Sequence, residues 1–80
     1  MPLFSFEIVR DRKPPFFAQT QTLTDIAAVW RQVETLAVAF RNYTGASIRV
    51  KNAEGGIIVL TGVATALSII EKRAARTLAL

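Results

Sequence analysis

Ser47-Ile48-Arg49-Val50-Lys51-Asn52-Ala53-Glu54-Gly55-Gly56-Ile57-Ile58-Val59-Leu60-Thr61 is the stretch that decides the fold. Asn52-Ala53-Glu54-Gly55 suits a type I turn followed by a glycine in the left-handed region, a common three-residue hairpin loop. Such a turn sets a register. Asn52 is expected opposite Gly56, Lys51 opposite Ile57, Val50 opposite Ile58, Arg49 opposite Val59 and Ile48 opposite Leu60. Ile48, Val50, Ile58 and Leu60 then share one apolar face, toward a core. A slip of one residue would carry Arg49 or Lys51 inward. Arg49, Lys51, Ile57 and Val59 share the other face. A sheet face turned only to water reads polar throughout. This one reads half apolar and half basic, which suits a surface covered either by a second copy of the chain or by the chain's own second helix.

A hairpin alone is not stable, so the flanking segments must supply partners. Residues 3–10 alternate, with Phe4, Phe6 and Ile8 on one side and Leu3, Ser5, Glu7 and Val9 on the other. Period two with aromatic and β-branched residues predicts a strand. Arg10-Asp11-Arg12-Lys13-Pro14-Pro15 is charged and proline-broken, a loop. Residues 16–21 are expected to return along the first strand as a short edge strand.

Residues 25–42 predict a helix, with Ile26, Val29, Trp30, Val33, Leu36, Ala37 and Phe40 in one apolar stripe. Thr22 or Thr24 is the expected N-cap, with Asp25 in the first turn. Trp30 is expected as a core anchor, and Gly45 as the stop. Residues 63–77 contain no Gly or Pro, and Val63, Ala66, Leu67, Ile70, Ala74 and Leu78 make a second stripe. Ile69 lies off it, which suggests a second contact surface.

The pattern is therefore α+β: a small antiparallel sheet in β-β-α-β-β order on one amphipathic helix, followed by a C-terminal second helix. The strands are expected at about 3–10, 16–21, 47–52 and 57–61, within one domain spanning residues 1–80. Eighty residues bury only about 60–65% of their unfolded surface, so the core is marginal. Small domains often add disulfides, a metal or another subunit. The chain has no Cys and no His, and its six carboxylates are scattered. No metal or other cofactor is expected, and a second copy of the chain becomes the expected partner, or else another protein.

Met1-Pro2-x-Phe4-x-Phe6, then Leu23-x-Asp25-Ile26-x-Ala28 opening the helix, then Ile48-Arg49-Val50-x-Asn52 with Gly55 and Ile57-Ile58-x-Leu60 complete a pattern. It resembles a family of short uncharacterised proteins of plant-associated and soil alphaproteobacteria, grouped as a domain of unknown function. The resemblance covers roughly residues 1–62. Members typically carry an acidic, glycine-containing stretch between the first strand and the helix; Arg12, Lys13, Pro14 and Pro15 replace much of it here. The resemblance implies a β-β-α-β-β unit and brings no catalytic or binding residues.

Catalysis is not expected. Glu7, Asp11, Asp25, Glu34, Glu54 and Glu71 fall on different segments, and no pair is spaced for acid–base work. There is no phosphate loop, and a Ser or Thr nucleophile would lack a His base. The start, Met1 to Glu7, has no basic region, and the uncharged run between Glu54 and Glu71 is too short and glycine-rich to span a bilayer. A cytoplasmic protein is expected, with no membrane contact.

Two binding readings remain. The first is an interaction domain, pairing as a homodimer through Arg49, Lys51, Ile57, Val59, Ile69 and Leu78. The second is nucleic-acid binding through the basic clusters Arg10, Arg12 and Lys13; Arg49 and Lys51; Lys72, Arg73 and Arg76. The net charge of +4 permits it. Against it, the outer sheet face offers Ile57 and Val59 where an RNA-binding sheet offers stacking aromatics. The first reading is preferred.

Overall fold

Strand β1, Leu3–Arg10, occupies an interior place in the sheet and pairs with a neighbour on each side. Its alternation explains this, because Phe6 and Ile8 are fully buried while Glu7 lies on the opposite face. Strand β2, Phe17–Thr22, returns antiparallel along one side of β1 as an edge strand. Helix α1, Ile26–Ala39, crosses over to β3, Ala46–Lys51, which pairs antiparallel with the other side of β1. Strand β4, Ile57–Gly62, pairs antiparallel with β3, and helix α2, Val63–Leu78, follows without a linker. The sheet order is β2-β1-β3-β4. This computed structural model describes residues 2–78, and side-chain surroundings up to Arg73. Leu78 and Arg76, named above as contact candidates, lie outside the described side chains, as does Ala74.

The α+β architecture and the β-β-α-β-β-α order agree with the sequence reading. Both helices pack on the same face of the sheet. Val29, Val33, Leu36 and Ala37 of α1 and Val63 and Ala66 of α2 share one buried cluster with Phe6, Ile8, Ile48, Val50 and Val59. Phe4, Phe17, Leu23, Phe40 and Leu67 close its rim. No helix among the described residues is long and apolar enough to cross a membrane.

The β3–β4 turn forms as its residues predict. Asn52 N donates to Gly56 O at 2.9 Å, and Gly55 N to Asn52 O at 3.0 Å. The Asn52 Oδ1 accepts from Glu54 N at 3.1 Å and Gly56 N at 2.8 Å, an Asx arrangement that holds the loop. Gly55 has φ +85°, where a side chain is strained. Asn52 pairs with Gly56 and Lys51 with Ile57, as expected.

Beyond that rung the register shifts. Val50 pairs with Val59, Arg49 with Leu60 and Ile48 with Thr61, so Ile57 and Ile58 both stand against Lys51. This β-bulge inverts the expected faces of β4. Val59 is 8% exposed and belongs to the core, not to the outer face. Leu60 is 64% exposed and Ile58 40%, so neither is a core residue. Ile57-Ile58-Val59-Leu60 is apolar throughout, so either register gives an apolar inner face. The hydrophobic pattern could not choose between them.

The first helix also differs in detail. Asp25 is the N-cap itself, with extended backbone, and its carboxylate accepts from Ala28 N at 2.8 Å. Neither Thr22 nor Thr24 has that role. The helix ends at Phe40, whose N–H returns to Leu36 O, and Gly45, with φ +80°, sits later, in the turn into β3. Trp30 is 44% exposed and is not a core anchor. The buried stripe is carried by Val29, Val33, Leu36 and Ala37; Ile26 and Trp30, one turn apart, lie on its exposed flank.

Candidate functional site

The outer sheet face is uncovered among the described residues, because both helices lie on the other face. Cross-strand pairing arranges it in rows. One row runs Ala18, Glu7, Arg49, Leu60; the next runs Thr20, Ser5, Lys51, Ile57. Small and polar side chains occupy the β2 side, charges the centre, and large aliphatic side chains the β4 side. Leu60 and Ile57, at 64% and 54% exposure, are the most open aliphatics of this face. Leu3 adds a third, half-exposed one from β1.

At the centre, Arg49 Nε lies 2.8 Å from Glu7 Oε1 and donates a hydrogen bond to it. Lys51 Nζ approaches the same oxygen at 3.5 Å. Partial burial pushes the Glu7 carboxyl up, but the hydrogen bond and charge of Arg49, with the charge of Lys51, outweigh it and hold the group below its ordinary value. A carboxyl whose folded pKa is lowered adds stability above its unfolded pKa, and that stability is lost as pH falls through the folded value. The melting temperature is therefore expected to drop on acidification below about pH 4, the ordinary Glu range. Glu7→Gln is expected to cost about 1 kcal/mol at neutral pH, the upper range for exposed ion pairs. It should also remove part of the acid-induced drop in thermal melts.

The sequence-predicted candidates separate into three groups. Arg49, Lys51 and Ile57 do come together on the outer face, joined by Leu60, which sequence reasoning had placed in the core. Val59 leaves the group. Ile69 is half-exposed but sits on α2, in the helical layer. Among the basic candidates, Arg49 and Lys51 face Glu7, and Arg73 pairs with Glu34 of α1. Lys72 is exposed on α2, ten residues along the helix from Gly62.

That loop lies at the end of the sheet where Arg10 pairs with Ala46. Phe16 follows it and stacks on Tyr43, with ring centroids 5.3 Å apart and planes at 19°. Phe40 packs edge-on against Phe16 at 6.0 Å and tilted against Phe17 at 5.1 Å. The Arg10 guanidinium lies over the Phe16 ring at 5.9 Å. Beside this group is an open cleft of about 320 Å³, lined by Arg41, Tyr43, Thr44, Ser47, Gly62 and Val63 among others. Sequence reasoning missed Phe16, Arg41 and Tyr43. The Pro-Pro-Phe junction was the only local sign, and nothing in it links Phe16 to a residue 27 positions later.

No cluster of three or more metal-ligating side chains exists among the described residues. Comparison with protein-family models, with curated proteins and with solved structures gave no match to this chain.

Proposed function

We propose that this chain is a small non-enzymatic interaction domain that pairs with a second copy of itself through the β3–β4 half of the outer sheet face. The observation that carries the reading is the exposure of Ile57 and Leu60 beside the internally paired Glu7–Arg49–Lys51 group. Covering the exposed part of these two aliphatic side chains, a little over half of each, is favourable by roughly 1–2 kcal/mol each if burial is complete. Arg49 and Lys51 already face a carboxylate, so bringing a second copy over them desolvates a paired group, not bare cations. A two-fold contact repeats each of these terms, since the same patch serves both partners. The marginal core of an unaided 80-residue chain is a further motive.

Leu60→Lys and Ile57→Lys test the reading. Both positions are exposed, so the variants are expected to fold. Each places a new cation beside Arg49 or Lys51 and, in a two-fold contact, near its own copy. Light scattering is expected to show soluble monomers for both variants at micromolar concentrations where the unaltered chain is dimeric. Variants that keep the parental mass would contradict this surface.

A further inference from the structure

The end of the molecule near Arg10 carries a second surface, made of residues outside the outer sheet face. The pairs Arg10–Ala46 and Ser47–Gly62 bring three segments together there: the β1–β2 loop, the turn after α1, and the β4–α2 junction. Arg10, Arg12, Lys13 and Arg41 are all exposed on these segments, with Asp11 as the one carboxylate among them. Most of the chain's net charge of +4 is thus gathered at one end. At the opposite end the β3–β4 turn and the start of α1 carry Glu54 and Asp25. Among the described residues, none of these four cations is in an ion pair.

Charge alone would make this a solvated loop. Aromatic rings distinguish it. Phe16 and Tyr43 are each 44% exposed, although both pack against the partly buried Phe40. Their near-parallel stack, with Arg10 over Phe16, forms an aromatic and cationic platform. Tyr43 and Arg41 continue from the platform into the 320 Å³ cleft, which also offers the hydroxyl-bearing Thr44 and Ser47. That volume lies at the lower end of the range for small-ligand sites. Cations for phosphates beside rings for unpaired bases are the two parts that single-stranded nucleic-acid sites combine.

We infer that this end binds a single-stranded nucleic acid, with phosphates along Arg10, Arg12, Lys13 and Arg41 and a base against the Phe16–Tyr43 group. Duplex binds less well, because its bases are stacked on one another and cannot reach the rings. The inference uses none of the residues proposed for self-association, so either can fail without the other.

Fluorescence anisotropy with labelled oligothymidine and oligouridine tests it. Binding is expected at low salt, with log K falling against log salt at a slope of about −2 to −3 for three to four phosphate contacts. Arg12→Glu together with Lys13→Glu is expected to abolish binding. Phe16→Ala and Tyr43→Ala are each expected to weaken it by about five- to a hundredfold, the effect of losing one base stack. Tyr43→Phe, which keeps the ring, is expected to bind within about twofold of the parent. Lys72→Glu, on the exposed part of α2, is expected to leave binding unchanged. No binding at low salt would overturn the inference. So would binding that ignores the loss of both rings and is matched by inorganic polyphosphate or by duplex, since only charge would then be read.

Discussion

Val59→Asp is expected to leave the chain unfolded. Val59 is 8% exposed and packs in the same cluster as Val50, Val63 and the α1 stripe. A carboxylate there has no cation facing it from the core, because that cluster contains no polar or charged residue. Burying an unpaired charge costs several kcal/mol even after relaxation. The whole stability of an 80-residue domain is on the order of 4–12 kcal/mol. Asp is the sharper choice because Lys on an edge strand can thread its long stem to water. The matching change one residue on, Leu60→Asp, alters a position largely exposed within one chain and should leave the chain folded, its midpoint falling only by what the loss of the second copy removes. Urea melts followed by circular dichroism check both variants. If Leu60→Asp unfolds the chain and Val59→Asp does not, β4 lacks the bulge and its faces are reversed.

Phe6→Ala is expected to produce the largest loss among simple truncations. Phe6 is fully buried on an interior strand, opposite Val50 on one side and Gln19 on the other. Removing a buried aromatic ring costs about 3–5 kcal/mol, because the cavity collapses only in part. That is comparable with the stability available. The urea midpoint should fall steeply, and without urea a large unfolded fraction is expected at room temperature. Leu3→Ala, on the same strand but on the open outer face, is expected to change the midpoint little, as exposed substitutions do. Equal losses at the two positions would mean that the outer face is covered within one chain.

The elements whose signals are local were legible in the sequence. The alternation of Leu3 to Arg10 placed β1 and its faces correctly. Asn52 to Gly55 defined a turn through its own side-chain chemistry. The positions Val29, Val33, Leu36 and Ala37 marked the buried stripe of α1. Readings failed where two local solutions were equally good and the tertiary structure chose. Either face of Ile57 to Leu60 is apolar, so pattern could not reveal the bulge. Trp30 lies one position from the buried Val29, within the angular tolerance of a helical stripe, and only the placement of α2 and the sheet decides its exposure. Thr24 and Asp25 are both good caps, and one residue separates them.

The candidate surfaces divide in the same way. Arg49, Lys51 and Ile57 were legible as neighbours because one turn fixed their register. Glu7 was not, since it comes from a strand 42 residues away from Arg49. Its carboxylate changes the meaning of the two cations, from a basic patch into a mainly paired group within an apolar border. Leu60 replaced Val59 for the reason given by the bulge. The Phe16–Tyr43 stack depends on two distant chain segments, the β1–β2 loop and the turn after α1, meeting at one end of the sheet, which no local pattern records.

Sedimentation equilibrium of the unaltered chain across micromolar concentrations tests the central claim most directly. The account predicts a mass twice the 8.8 kDa of one chain, shifting toward a single chain on dilution. A single 8.8 kDa species at every concentration would contradict self-association through the outer sheet face.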